Sequence, residues 1–228
     1  MRNWLVWLAL VPGCLGADTL LFRDDFRNGA AQWRQEGHNS RLEFENGRMT
    51  VTNKTGLTLW FRERLTVPVT ISYTARVLST GRVSDLNCFW MATDPAQPGG
   101  ELFPAGVGRT GEFALYDTLR TYYVGYGGNN NTTTRFRRYD GTGARPLLTR
   151  HDLSAPAFLL KPDHAYRITL VARADGRVQF IRDGEVVFDW QDPEPLRSGW
   201  FGLRSVDSRI EISDFRVHAG VPPGAAGK

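Results

Sequence analysis

YRITLVARADGRVQFIRDGEVVFDW, residues 166–190, decides the fold. Tyr166, Ile168, Leu170 and Ala172 recur at every second position, so they line one face of an extended strand. Asp183-Gly184 then separates Val178-Gln179-Phe180-Ile181 from Val186-Val187-Phe188. An Asp-Gly pair between two such runs signals a tight hairpin of the primed turn type, because that turn needs positive φ at both central residues. Asp175-Gly176 is expected to close the hairpin upstream in the same way. Outward from this stretch, Asn46-Gly47 joins Leu42-Glu43-Phe44 to Met49-Thr50-Val51, and Ile210 and Ile212 share one face of the last strand. After Ile212 the alternation slips by one residue to Phe215 and Val217, which predicts a bulge near Asp214. No helical periodicity runs through the chain beyond its first residues. About a dozen strands are predicted between residues 20 and 218, too many for a seven-stranded immunoglobulin sandwich. The pattern predicts an all-β, two-sheet antiparallel jelly-roll sandwich.

The chain has 228 residues, 41% hydrophobic and 12% aromatic, enough for one sizeable core and one domain. Residues 1–17, MRNWLVWLALVPGCLGA, carry a charge at Arg2, an apolar run and small residues before Asp18, the layout of a secretory signal. The run is too short to span a bilayer. An alternative for Val11-Pro12-Gly13-Cys14 is a lipoprotein signal with Cys14 acylated. The expected organisation is a leader at 1–17, a jelly-roll domain at 18–219 and a disordered tail at 220–228, in a secreted or periplasmic monomer with no transmembrane segment. Cys14 and Cys88 are the only cysteines, so the mature domain has no internal disulfide and its stability must come from burial. Cys88, inside the run LNCFW, reads as a small core residue. The net charge is +4 and the basic residues are scattered, which argues against a nucleic-acid partner.

Residues 81–152 differ from their flanks in holding SDLNCFWMATDP, YYVGYGGNNNTTTRFRRYDG and LLTRHDL, dense in polar and aromatic groups. Strand alternation places Thr133, Arg135, Arg137 and Tyr139 on one face, and Thr132, Thr134, Phe136 and Arg138 on the other. Tyr122, Val124 and Tyr126 align, as do Asp85, Asn87, Phe89 and Met91. Asp85, Asn87, Tyr122, Tyr123, Asn129, Asn130, Asn131, Thr133, Arg138 and Trp200 are the candidate sugar contacts. Amides and carboxylates pair with hydroxyls, and aromatic rings stack on pyranose faces.

The opening FRDDF, the central YYVGYGGNNNTTTRFRRYDG, the stretch FDWQDPEPLRSGWFGLRS and the closing IEISDFRVH resemble the YesU-type proteins of bacterial polysaccharide-utilisation systems, within the concanavalin A-like lectin/glucanase superfamily. The resemblance covers nearly all of the mature chain. It implies the same fold and a carbohydrate ligand, with pectin-type, rhamnose- and uronate-containing polymers as the substrate class. The Glu-x-Asp-x-x-Glu strand of the superfamily's retaining glucanases is absent, as are the Gln-x-His and Tyr-x-Lys-x-Gly-x-Tyr strands of its alginate lyases.

On a uronate, Arg135 or Arg137 would hold the carboxylate in a bidentate fork while His151, Tyr126 or Tyr139 removes the α-proton. Eliminative cleavage is therefore expected somewhat ahead of glycoside hydrolysis, and a non-catalytic carbohydrate-binding protein is the competing class. No cofactor is required. A structural Ca²⁺ between Asp25 and Asp214, on terminal strands that often pair in jelly rolls, is a further expectation.

Overall fold

The computed structural model describes residues 19–106 and 108–220. The leader with Cys14, and the tail from residue 221, lie outside the described residues. Two antiparallel sheets of eight strands each form one domain, as the alternation pattern predicts.

The first sheet contains β1 (Thr19–Asp24), β3 (Ser40–Glu45), β4 (Arg48–Asn53), β7 (Val69–Val77), β12 (Tyr166–Ala172), β13 (Arg177–Arg182), β14 (Glu185–Gln191) and β16 (Arg209–Ala219). Their order is β14-β13-β12-β7-β16-β4-β3, and β1 pairs with the far end of β16. The second contains β2 (Trp33–Glu36), β5 (Gly56–Phe61), β6 (Leu65–Thr66), β8 (Asn87–Thr93), β9 (Arg120–Gly127), β10 (Thr133–Asp140), β11 (Asp152–Leu153) and β15 (Ser198–Val206), in the order β11-β10-β9-β8-β15-β5-β2, with β6 on β15.

The turn chemistry is local and reads directly. Asn46 and Gly47 have φ of 52° and 73°, and Asp183 and Gly184 have 53° and 84°, the positive pairs that primed turns require. Asp175-Gly176 departs from expectation: of the two only Gly176 has positive φ. Arg173 N donates to Arg177 O at 2.9 Å, making a longer loop that ends in a left-handed glycine. The slip after Ile212 is a bulge, with Asp214 at φ 56° and the register against β7 shifting between Ser213 and Arg216.

Between the sheets lie Met49, Val51, Ile71, Tyr73, Phe215 and Val217 from the first, and Phe61, Cys88, Trp90, Val124, Phe201 and Leu203 from the second. Each buried aliphatic or aromatic side chain of this kind contributes about 1.5–3 kcal/mol relative to exposure. Trp33 sits among the rings of Phe26, Phe61, Phe201 and Phe215, and its indole N–H donates to buried Asp24 at 2.8 Å. Cys88 is a core residue as read, and burial pushes its thiol up to about 12.

A second apolar cluster lies on the opposite face of the second sheet. Residues 94–106 and 108–119, between β8 and β9, fold over that face and pack Leu102, Tyr116 and Leu119 on Trp60, Phe89, Tyr123 and Trp200. Trp60 lies flat on Gly202, where an added Cβ would come within 2.5 Å of the indole ring. The segment is anchored by Arg109, which bridges Glu36 at 3.2 Å and Asp94 at 2.9 Å, while Trp60 Nε1 donates to Glu36 at 2.8 Å. Part of the outer face is thereby roofed, and part stays open.

Candidate functional site

Strand register builds the open part row by row. One row runs Asp152 of β11, Arg135 of β10, Gly125 of β9, Asn87 of β8, Arg204 of β15, Thr58 of β5 and Glu36 of β2. The next runs Arg137, Tyr123, Phe89, Gly202, Trp60 and Arg34. Polar groups fill the first row and rings fill the second, because side chains on alternate positions of every strand share this face.

A groove of about 370 Å³ lies over these rows. Asp85, Asn87, Tyr123, Asn129, Asn130, Thr133, Arg135 and Arg137, all singled out by sequence, line it. Arg82, Phe113, Gly125, Arg145 and Arg204 line it too and were not singled out. Arg204 had a signal: it is a charged residue inside the otherwise apolar strand WFGLRSV, at a position that alternation assigns to the ring-bearing face. Arg82, Phe113 and Arg145 come from connections far away in sequence, where no periodicity points to them.

Arg82 organises one bank. Its guanidinium donates to Asp85 Oδ2 at 2.5 Å, to Asn130 Oδ1 at 2.7 Å and to Val206 O at 2.6 Å. Asp85 also accepts from Ser84 Oγ at 2.8 Å and from Asn87 Nδ2 at 3.3 Å. Asn87 Oδ1 is buried on the groove floor with no hydrogen-bond partner among the described residues. On the other bank Arg135 forms a bidentate pair with Asp152, at 2.8 and 3.0 Å, which holds the Asp152 carboxyl below its ordinary value. Arg145 pairs with Asp117 at 2.7 Å and lies over the Phe113 ring.

Arg137 and Arg204 differ from their neighbours. No carboxylate of the described residues lies within 4.0 Å of either. Arg137 donates to the Arg145 carbonyl. Arg204 is 2% exposed, donates to Thr58 Oγ1 at 3.1 Å and Gly111 O at 2.9 Å, and lies under the rings of Phe113 and Tyr116. Burial lowers the proton affinity of the Arg204 guanidinium.

The run Asn129–Asn130–Asn131 has a backbone explanation. These residues have φ of 52°, 57° and 60°, a left-handed turn between β9 and β10 that asparagine tolerates best after glycine. Asn131 does not line the groove. Its amide clamps Leu160, donating to the carbonyl at 2.9 Å and accepting from the N–H at 2.8 Å.

Seven other expectations are corrected by side-chain direction or burial. Tyr122 and Tyr126 do align with Val124, but toward the core. The Tyr122 hydroxyl donates to Asp192 at 2.6 Å, and the Tyr126 hydroxyl accepts from Arg182 at 3.3 Å. Arg138 points the same way, onto Asp192 at 2.9 Å. His151 is buried against Phe136, Phe188 and Trp190 on that side of β10, outside the groove. Met91, with φ 55° at a bulge in β8, joins the core instead of continuing the row of Asp85, Asn87 and Phe89. Tyr139 and Trp200 are on the groove's face but sealed in its apolar cluster, and burial pushes the Tyr139 phenol up to about 12.

No metal site is assembled at the expected Ca²⁺ position among the described residues. β1 does pair with β16, bringing Asp24 opposite Phe215. Asp25, however, is engaged by Arg23 and Arg27 at 3.5 and 3.6 Å, and Asp214 by Arg216 at 2.6 Å. Among the described residues no group of three or more His, Cys, Asp or Glu side chains gathers as a metal site, whereas Ca²⁺ takes about six to eight oxygens. No helix of the described residues is long and apolar enough to cross a membrane.

Known structures share this architecture at low sequence identity. A protein of unknown function with a galectin-like fold from Bacillus subtilis superposes with a TM-score of 0.68 at 19% identity, covering 90% of this chain and 98% of its own. An endo-β-1,3-glucanase from Pyrococcus furiosus gives 0.59 at 10% identity, covering 90% and 96%. The carbohydrate-binding module CBM66 from Bacillus subtilis gives 0.56 at 12%, covering 82% and 96%. At such identities the likeness establishes the fold alone. No curated protein matches the sequence. Residues 51–215, most of the chain, match the profile of a domain of unknown function, DUF6250, and the chain belongs to that family.

Proposed function

We propose that this protein recognises a uronate-bearing glycan outside the cytoplasm, with the sugar chain laid in the groove and its carboxylate held by Arg137. One observation carries the reading: five guanidiniums and one carboxylate line the groove, and Arg137 and Arg204 have no carboxylate partner among the described residues. Arg204 is kept out of water with no carboxylate bonded to it, and half-buried Arg137 can meet an incoming carboxylate with charge-assisted hydrogen bonds. Tyr123 supplies a ring, and Asn87 and Thr133 supply hydroxyl partners. A sugar ligand is further supported, by fold analogy only, by the carbohydrate-binding module and the glucanase named above. Pectin-type polymers containing rhamnose and uronate remain the class that the YesU-type resemblance implies. The leader read at residues 1–17 supports a secreted or periplasmic location.

Cleavage is the second reading, and Tyr123 is the observation that favours it. Its hydroxyl lies over Gly125 on the groove floor, 3.1 Å from where a Cβ would stand. A tyrosine beside arginines is suited to abstracting the α-proton of a uronate. Burial nevertheless raises the Tyr123 phenol far above neutral pH, and His151 is elsewhere. Retaining hydrolysis needs two carboxyl groups about 5 Å apart, and Asp85, locked to Arg82, is the one lining this groove. Recognition therefore stands first.

The test is calorimetric titration with oligogalacturonates and with the same oligosaccharides after carboxyl reduction. The acidic series should bind, and Arg137→Ala should weaken it about tenfold, the equivalent of about 1.4 kcal/mol. Equal affinity for the reduced series would overturn the assignment. Ultraviolet absorbance of unsaturated uronates, followed in the same samples, decides between binding alone and elimination.

A further inference from the structure

A second recess lies at the lateral edge of the sandwich, between β10 of one sheet and β14 of the other. It measures about 170 Å³ and is lined by Phe136, Pro146, Leu148, His151 and Trp190 together with Arg137, Arg138 and Asp140. The imidazole of His151 is 5.0 Å from the Phe136 ring centroid, 5.8 Å from Phe188 and 6.4 Å from Trp190. His151 is 4% exposed, and its Nε2 is buried with no hydrogen-bond partner among the described residues. Desolvation, with Arg150 nearby, lowers its proton affinity, so the imidazole is neutral near pH 7 and offers one N–H and one lone pair. Leu148, 43% exposed, stands at the mouth.

Three features restrict the occupant. An apolar cavity of about 150 Å³ is enough for one benzene ring. The walls present ring faces and edges, which favour another ring in edge-to-face contact. The unmet imidazole nitrogen asks for a single polar atom, and a hydroxyl satisfies either tautomer because it both donates and accepts.

We infer that this recess binds a phenolic ring, its hydroxyl toward His151 and its acyl end toward Arg137. Arg137 also lines the groove, so the two openings adjoin. The ring belongs either to a free phenolic acid or to a phenolic acyl ester carried on a glycan. The assignment stands on the recess's own residues and holds whichever ligand the groove takes.

The probes are 4-hydroxycinnamate, its methyl ester, plain cinnamate and a 4-hydroxycinnamoylated oligosaccharide, titrated into the full-length protein by calorimetry and saturation-transfer NMR. The hydroxylated compounds should bind at least tenfold more tightly than cinnamate. Tighter binding of the conjugate than of the free acid assigns the ring to a glycan, and the reverse assigns it to a free acid. His151→Phe keeps the ring packing and should level hydroxylated and plain probes. Leu148→Arg, at the exposed mouth, should abolish binding of all four rings while leaving oligogalacturonate affinity in the groove unchanged. Equal binding of hydroxylated and plain probes to the wild type, or no binding of either at millimolar concentration, overturns the assignment. If His151→Phe fails to fold, Leu148→Arg decides alone: unchanged ring binding there overturns it.

Discussion

Replacing Arg109 with Ala removes the cation that anchors the segment roofing part of the second sheet. Arg109 is 9% exposed and its two carboxylate partners, Glu36 and Asp94, are 4% and 8% exposed. Each pair exchanges a direct hydrogen bond, and Arg109 also reaches the Leu102 carbonyl at 3.2 Å. The substitution leaves two buried carboxylates, of which Glu36 keeps the Trp60 indole as a donor. Breaking a buried ion pair by deleting one partner costs about 3–5 kcal/mol, chiefly as the unpaired charge left behind. With a urea slope of about 2 kcal/mol/M for a domain of this size, a loss of about 4 kcal/mol moves the unfolding midpoint down by about 2 M. The corresponding fall in Tm is about 8–16 °C. Urea titration followed by tryptophan fluorescence reads the effect, and limited proteolysis reports whether residues 94–119 become the first cleavage site. Arg109→Lys should recover part of the loss, because one ammonium cannot serve both carboxylates with a planar fork. A midpoint shift below about 0.5 M for Arg109→Ala would mean that the charges are solvated, and the anchoring argument would fail.

Gly202→Ala should destabilise by about 1–3 kcal/mol in the same titration, since its Cβ meets the Trp60 ring at 2.5 Å and overpacking forces the indole aside. Cys88, with its thiol pushed up by burial to about 12, should resist thiol-exchange reagents at pH 8 in the native protein and react fully in denaturant; rapid native labelling would contradict its burial. His151 titrates below its ordinary value when folded, so the unfolded chain binds its proton first as pH falls. The stability that the neutral imidazole provides is complete above pH 6.5 and declines below it, and His151→Phe should remove that decline from the urea midpoint's pH profile. Asn130→Ala should cost about 1 kcal/mol, because alanine lacks asparagine's tolerance of left-handed φ. It should also weaken glycan binding by releasing Arg82.

What the sequence revealed was set by range. Turns such as Asn46-Gly47 and the bulge at Asp214 depend on a few neighbouring residues, and the period of two along β10 sorts Thr133, Arg135 and Arg137 onto one face without further knowledge. The same alternation aligns Tyr122 with Tyr126, yet it cannot say which face meets the partner sheet, and both tyrosines turn inward. A single left-handed residue, Met91, breaks the row begun by Asp85, which no alternation pattern anticipates. Asn129, Asn130 and Asn131 drew attention for their amides when their backbone angles explain the choice of residue type. Arg82, Phe113, Arg145 and Arg204 enter the groove through contacts between segments far apart in the chain, and only folding brings them to it.

The roof over Trp60, Phe89 and Trp200 also fixes the length of the site. Phe89 and Trp60 continue the row of Tyr123, and the segment held by Arg109 packs over them. With a shorter connection between β8 and β9 the cleft would continue over Phe89 and Trp60 as a longer aromatic track. Ligand length in this architecture is therefore adjustable through one crossover, with both sheets left as they are.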